Sequence, residues 1–135
     1  MQKKHLTVRQ ANALLSRVIP KVSKLMRINK ALDLLNTIEI EYDDDFEETH
    51  NEVDRNMRFH RLSYQFYKEY YELLKMGVVI KDIDEGLIDF YSLFEGREIY
   101  LCYKIGERKI NYWHELNTGF GGRKPIKLLE QNREV

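Results

Sequence analysis

The hydrophobic pattern changes period at Gly77, and no single type of secondary structure accommodates both halves of the chain. Upstream, Leu15, Val18, Val22, Leu25, Ile28, Leu32 and Leu35 recur at three- and four-residue steps, the spacing of one helix face. Thr7 followed by Gln10 forms a capping box, in which each side chain satisfies a free amide at a helix start. Pro20 lies inside this run without an amide to donate, which predicts a kink or a broken turn. The acidic stretch "EYDDDFEE" offers Asp caps for a second helix, whose buried face is marked by Val53, Phe59, Leu62, Phe66, Tyr70 and Leu73. Gly77 is placed to close that helix in a left-handed conformation.

Two helices of about thirty residues each extend roughly 45 Å. Joined by a short acidic turn, they predict an antiparallel hairpin with a coiled-coil-like seam. Leu14, Ile19, Met26, Leu34, Met57, Tyr67 and Tyr71 fall off that seam. They therefore require cover from the carboxy-terminal part or from another chain. Downstream of Gly77 the apolar residues alternate, and three strands are predicted at 87–94, 97–105 and 110–116. Glu95-Gly96 is a two-residue hairpin turn, and Gly106 opens the next turn. The expected fold is α+β: a long antiparallel two-helix hairpin (about 7–77), then a small three-stranded antiparallel sheet (about 78–127). A frayed tail (128–135) completes one domain, the simplest reading of 135 residues.

Side chains alternate between sheet faces, so the turns predict which residues meet. Pairing Phe94 with Arg97 sets Phe90 opposite Leu101 and Asp89 opposite Cys102. A second turn of two or four residues then gives one face Ile88, Phe90, Ile99, Leu101, Tyr103, Ile110, Tyr112, His114 and Leu116. The other face takes Asp89, Tyr91, Glu98, Tyr100, Cys102, Lys104, Trp113 and Glu115. His114 and Glu115, adjacent in "WHEL", point to opposite faces and form no dyad unless a β-bulge re-aims one of them. His114 is expected in the core, hydrogen-bonded to backbone or a carboxylate.

The polar-aromatic face is where a site would lie. Asp89, Tyr100, Cys102, Trp113 and Glu115 are its ligand-binding candidates, with Arg123 of "GFGGRKP" as an anion anchor. Asp89, Glu115 and His114 are the candidates for metal. No cofactor is required by the sequence, and a divalent metal is the one this alternative would use. Cys102, the single cysteine, has no predicted cationic neighbour to activate it as a nucleophile. Glu47 and His50 have the E-x-x-H spacing of carboxylate-bridged di-iron bundles, but the motif occurs once, at a polar hairpin tip, where a solvated cap is the simpler role. "GFGGRKP" lacks the Lys-Ser/Thr and following helix of a phosphate loop and reads as a flexible exit from the last strand, its turn anchored by Phe120.

Formal net charge is zero, so no overall field draws the chain to nucleic acid or anionic membrane. A lone cysteine fits a reducing compartment. There is no apolar leader and no run long enough to span a bilayer, which predicts a cytoplasmic protein. Lys21, Lys24, Arg27 and Lys30 are expected beside Arg55, Arg58 and Arg61 as a basic belt, with an acidic hairpin tip. Tip meeting belt suits a homo-oligomer, most simply a dimer, better than it suits nucleic acid.

"LTVRQANALLSRVIP" near the start, with "GLIDF", "GREIYLC", "WHEL" and "GFGGRKP" in order later, resembles a family of short bacterial and archaeal proteins catalogued as domain of unknown function 2203. Arg9-Gln10 departs from the family's more usual acidic residue before the Ala-Asn pair. The resemblance implies no activity, cofactor or catalytic residue. The functional expectation is a non-enzymatic homo-oligomeric binding or scaffolding module. The alternative is an enzyme or a small-ligand or metal-binding protein using the polar-aromatic face.

Overall fold

A computed structural model describes the backbone of residues 1–131 and the side chains of residues 1–129. Helices α1 (Val8–Thr37) and α2 (Asp45–Lys75) form the hairpin. They are followed by strands β1 (Val78–Asp82), β2 (Leu87–Phe94), β3 (Arg97–Lys104), β4 (Tyr112–Glu115) and β5 (Lys124–Pro125), with a 3₁₀ turn at Phe120–Gly122 before β5. A short helix, α3 (Lys127–Gln131), comes last. The strands make one antiparallel meander in chain order, so the sheet has five strands and not three.

The helix boundaries follow from local chemistry. Gln10 N donates to Thr7 Oγ1 at 3.1 Å and Thr7 N donates to Gln10 Oε1 at 2.9 Å, closing the capping box. Asp44 caps α2 by accepting from Glu47 N at 2.7 Å. Gly77, at φ 98°, ends α2 in the left-handed region, where a side chain would be strained. The helix α1 passes through Pro20 without interruption. Pro20 lies on the exposed side, where solvent can satisfy the carbonyl that the missing amide leaves free.

Ala11, Leu15, Val18, Val22, Leu25 and Ile28 of α1 pack with Leu73 of α2 on one face of the sheet, against Val78, Ile88, Phe90, Ile99, Leu101 and Trp113. Asn12 Oδ1 accepts from Ile110 N at 2.8 Å and so ties the β3–β4 connection to α1. Leu14, Ile19 and Met26 pack on this core, whereas Leu34, Met57, Tyr67 and Tyr71 remain exposed. Val53 is also exposed, contrary to expectation. The buried side of α2 runs instead through Leu62, Phe66, Tyr70 and Leu73.

The basic belt does not form as expected. Lys21 and Lys24 lie level with Glu69 and Glu72, and Glu69, itself buried, receives Lys24 at 3.0 Å and Lys21 at 3.4 Å. Both carboxylates are held below their ordinary range, each first by its lysine hydrogen bond (Lys24 to Glu69, Lys21 to Glu72). The "GFGGRKP" segment is not a loose exit: it folds into the 3₁₀ turn and β5, which pairs with β4. Nor is all of 128–135 frayed, since α3 starts at Lys127 and Leu129 is buried. Residues 132–135 of that expected tail lie outside the described residues.

Candidate functional site

The β2–β3 hairpin has the expected register. Glu95 and Gly96 both take positive φ, 52° and 77°, the two-residue turn that matches strand twist. Phe94 pairs with Arg97, Phe90 with Leu101 and Asp89 with Cys102. The next connection differs. Cys102 pairs with Tyr112 and Leu101 with Trp113, so an odd number of residues, nine, separates the paired Cys102 and Tyr112. An even number had been expected, and the change turns β4 over.

Every β4 assignment is therefore reversed. Trp113 and Glu115 lie on the helix-facing side. There Trp113 packs on Phe94 at a ring separation of 5.7 Å, and Glu115 Oε1 accepts from Arg97 Nη2 at 2.8 Å. Neither joins Asp89. Tyr112 and His114 move to the face that looks away from the helices, with Asp89, Tyr100 and Cys102. Of the three metal-ligand candidates, Asp89 and His114 come together and Glu115 does not. Cys102 takes its place.

On that face one ligand atom each from Asp89, Cys102 and His114 lies within 4.8 Å of the others. The three residues are nearly inaccessible, at 1%, 1% and 2% exposure. Neighbouring strands carry them: Asp89 at the middle of β2, Cys102 opposite it on β3, and His114 on β4, two residue pairs along. His114 Nδ1 lies 2.8 Å from the Glu115 carbonyl oxygen. A carbonyl can only accept, so Nδ1 carries a hydrogen and donates it. Nε2 is then aimed at the Asp89 carboxylate, 3.1 Å from each of its oxygens, and a single proton serves that contact.

Burial drives the Asp89 carboxyl above its ordinary range, opposed by His114, by a hydrogen bond from Cys102 and by Lys81. The Cys102 thiol is pushed up to about 12, first by burial and then by the charge of Asp89, with Arg123 pulling the other way. A thiol so placed stays protonated near neutrality and is no free nucleophile. His114 also gives its Nε2 to Asp89 rather than to sulfur, so the three residues are not a Cys–His–Asp relay.

Cations seated on tyrosine rings cover the cluster. Lys81 Nζ lies 4.1 Å from the Tyr100 ring centre, Lys3 Nζ 4.4 Å from that of Tyr91, and the Arg123 guanidinium 4.2 Å from that of Tyr112. The Tyr91 and Tyr100 hydroxyls are 3.0 Å apart. Arg123 Nη2 donates to Glu107 Oε1 at 2.5 Å and reaches the Cys102 carbonyl at 3.5 Å. Arg123 Nε is buried and has no partner among the described residues. The turn that delivers Arg123 is tight: a Cβ on Gly122 would lie 2.7 Å from Thr118.

Sequence reasoning missed Glu107, Lys81 and Tyr112, and it put His114 on the wrong face. The signal for all of β4 was the length of the β3–β4 connection, which periodicity alone does not give.

No curated protein matches the sequence, and no solved structure does. A family match covers residues 4–126, a span that includes the three cluster residues and, apart from Lys3, the residues that cover them. The chain belongs to the DUF2203 family, described as an uncharacterized conserved protein.

Proposed function

We propose that the protein binds a divalent transition-metal ion of the zinc class between Asp89, Cys102 and His114 Nε2. The observation that carries this reading is the convergence of a thiol, an imidazole and a carboxyl group within 4.8 Å, all buried. A thiolate and an imidazole together select borderline or soft ions over magnesium or calcium. The Nδ1–H to carbonyl bond fixes the ring and leaves Nε2 as the donor, the usual outer support of a metal-bound histidine.

Charge supports the reading too. In the metal-free cluster the thiol is protonated and the Asp89–His114 pair holds one proton, so it is neutral overall. Replacing these two protons with one divalent ion keeps it neutral, which a buried site requires. Three protein donors leave a fourth tetrahedral position, as in sites where water or substrate coordinates. Arg123, with a buried unpartnered Nε, would face an anion held there. A free thiol at Cys102 suits a reducing compartment, consistent with a cytoplasmic location.

The test is titration of chelator-treated protein with zinc by calorimetry, and with cobalt by thiolate-to-metal absorption. One ion per chain is expected. Cys102→Ala should abolish the thiolate band, and Asp89→Asn should weaken binding at least tenfold, with helix content unchanged. Zinc binding by Cys102→Ala equal to that of the parent would sink the proposal.

A further inference from the structure

The exposed side of α2 carries a regular repeat that the fold does not use. Phe46, Val53, His60 and Tyr67 recur every seven residues, and His50, Met57, Tyr64 and Tyr71 do the same. Interleaved, they step by four and three, the a/d pattern of a coiled-coil seam. All of them are exposed, and the six other than the two histidines range from 52% at Tyr71 to 80% at Phe46. The seam spans roughly 37 Å from Phe46 to Tyr71 at 1.5 Å per residue. It lies apart from the residues with which α2 meets α1 and the sheet.

The flanking charges identify the occupant. The position after each member of the first series holds Glu47, Asp54, Arg61 and Lys68, all exposed. This flank is acidic in its first half and basic in its second. A second copy of α2 running antiparallel would set Glu47 against the partner's Lys68 and Asp54 against the partner's Arg61, and symmetry would repeat both pairs. The same alignment layers Met57 on the partner's His60, Val53 on the partner's Tyr64, and Phe46 on the partner's Tyr71. A parallel pair would instead set Asp54, Arg61 and Lys68 against the partner's Thr49, the partner's Asn56 and the partner's Ser63, which are uncharged.

We infer that the protein self-associates as a two-fold antiparallel dimer through this face of α2. Covering the exposed parts of Phe46, Tyr64, Tyr67 and Tyr71 in both copies removes about 1,100 Å² from water at the usual aromatic areas. With Val53, Met57 and the flanks added, the interface reaches the roughly 1,200–2,000 Å² of stable specific complexes. The surface is separate from the Asp89–Cys102–His114 cluster, and the inference does not depend on metal.

Sedimentation equilibrium of the full chain tests it, using two double variants. Glu47→Lys with Asp54→Lys makes the flank wholly basic, and Arg61→Glu with Lys68→Glu makes it wholly acidic. The parent should be dimeric at micromolar concentration. Each variant alone should dissociate at least tenfold more readily, and mixing the two should restore a dimer containing one of each. These side chains are exposed, and circular dichroism checks that the helices persist. A monomeric parent would overturn the inference and leave the seam to a different protein. A dimer indifferent to both variants, or dissociated variants that fail to recombine, would overturn it equally.

Discussion

Metal binding at the Asp89–Cys102–His114 cluster should be steeply pH-dependent, and the hydrogen bonds set how steep. His114 Nδ1 donates to a carbonyl and keeps its proton throughout. The Nε2–Asp89 contact holds one proton, and a thiol pushed up to about 12 holds another. Coordination requires a carboxylate, a thiolate and a free Nε2 lone pair, so about two protons leave per ion bound. The zinc association constant should therefore rise about 100-fold per pH unit while both protons are present in the metal-free protein, about 2.7 kcal/mol. In Cys102→Ala only the shared proton remains to be displaced, and the slope should fall to about tenfold per unit. Calorimetry in buffers of different ionisation enthalpy counts the protons directly. A slope below tenfold per unit in the parent protein, or one unchanged by Cys102→Ala, would refute the protonation argument.

Other consequences are for stability. With the folded Cys102 thiol near 12 and its ordinary value at 9.0, the unfolded chain loses its proton first as pH rises. The stability this thiol contributes is whole below pH 9 and declines above it by about 1.4 kcal/mol per unit; subtracting the alkaline denaturation profile of Cys102→Ala isolates the slope. Gly86→Ala places a Cβ 2.6 Å from Ile105 at a φ of 65°, and chemical denaturation should show a loss of about 1–3 kcal/mol. Thr7→Ala removes a bond to Gln10 N and should cost about 0.5–2 kcal/mol, seen as a lower melting temperature.

The helices and the first hairpin were legible in the sequence because their signals are local. Thr7 with Gln10, Asp44, Gly77 and Glu95-Gly96 each fix a boundary through neighbouring residues. Asp89 opposite Cys102 followed from that hairpin alone. The strand β1 was missed because Val78–Asp82 follows the end of α2 directly, with two charges at its end. The strand β5 is two residues long, one of them Pro125, and pairing with β4 alone makes it a strand. The facing of His114 depended on whether an odd or even number of residues closes a loop, which tertiary ties such as Asn12 to Ile110 decide. Val53 was misread because α2 carries two apolar stripes, and periodicity does not say which one meets α1.

Trp113 is the sole tryptophan, and it is buried on the side of β4 that faces the helices, between Phe94 and Lys124. Its indole NH has no partner among the described residues, and its strand neighbour His114 points the opposite way. The protein thus has one tryptophan fluorophore, excited selectively over its tyrosines, that looks into the core while the ligand cluster occupies the other side of the same strand. Loading the cluster with zinc should leave the emission maximum in place, whereas separation of the helices from the sheet should move it to the red. One optical channel would then distinguish filling of the site from loss of the fold.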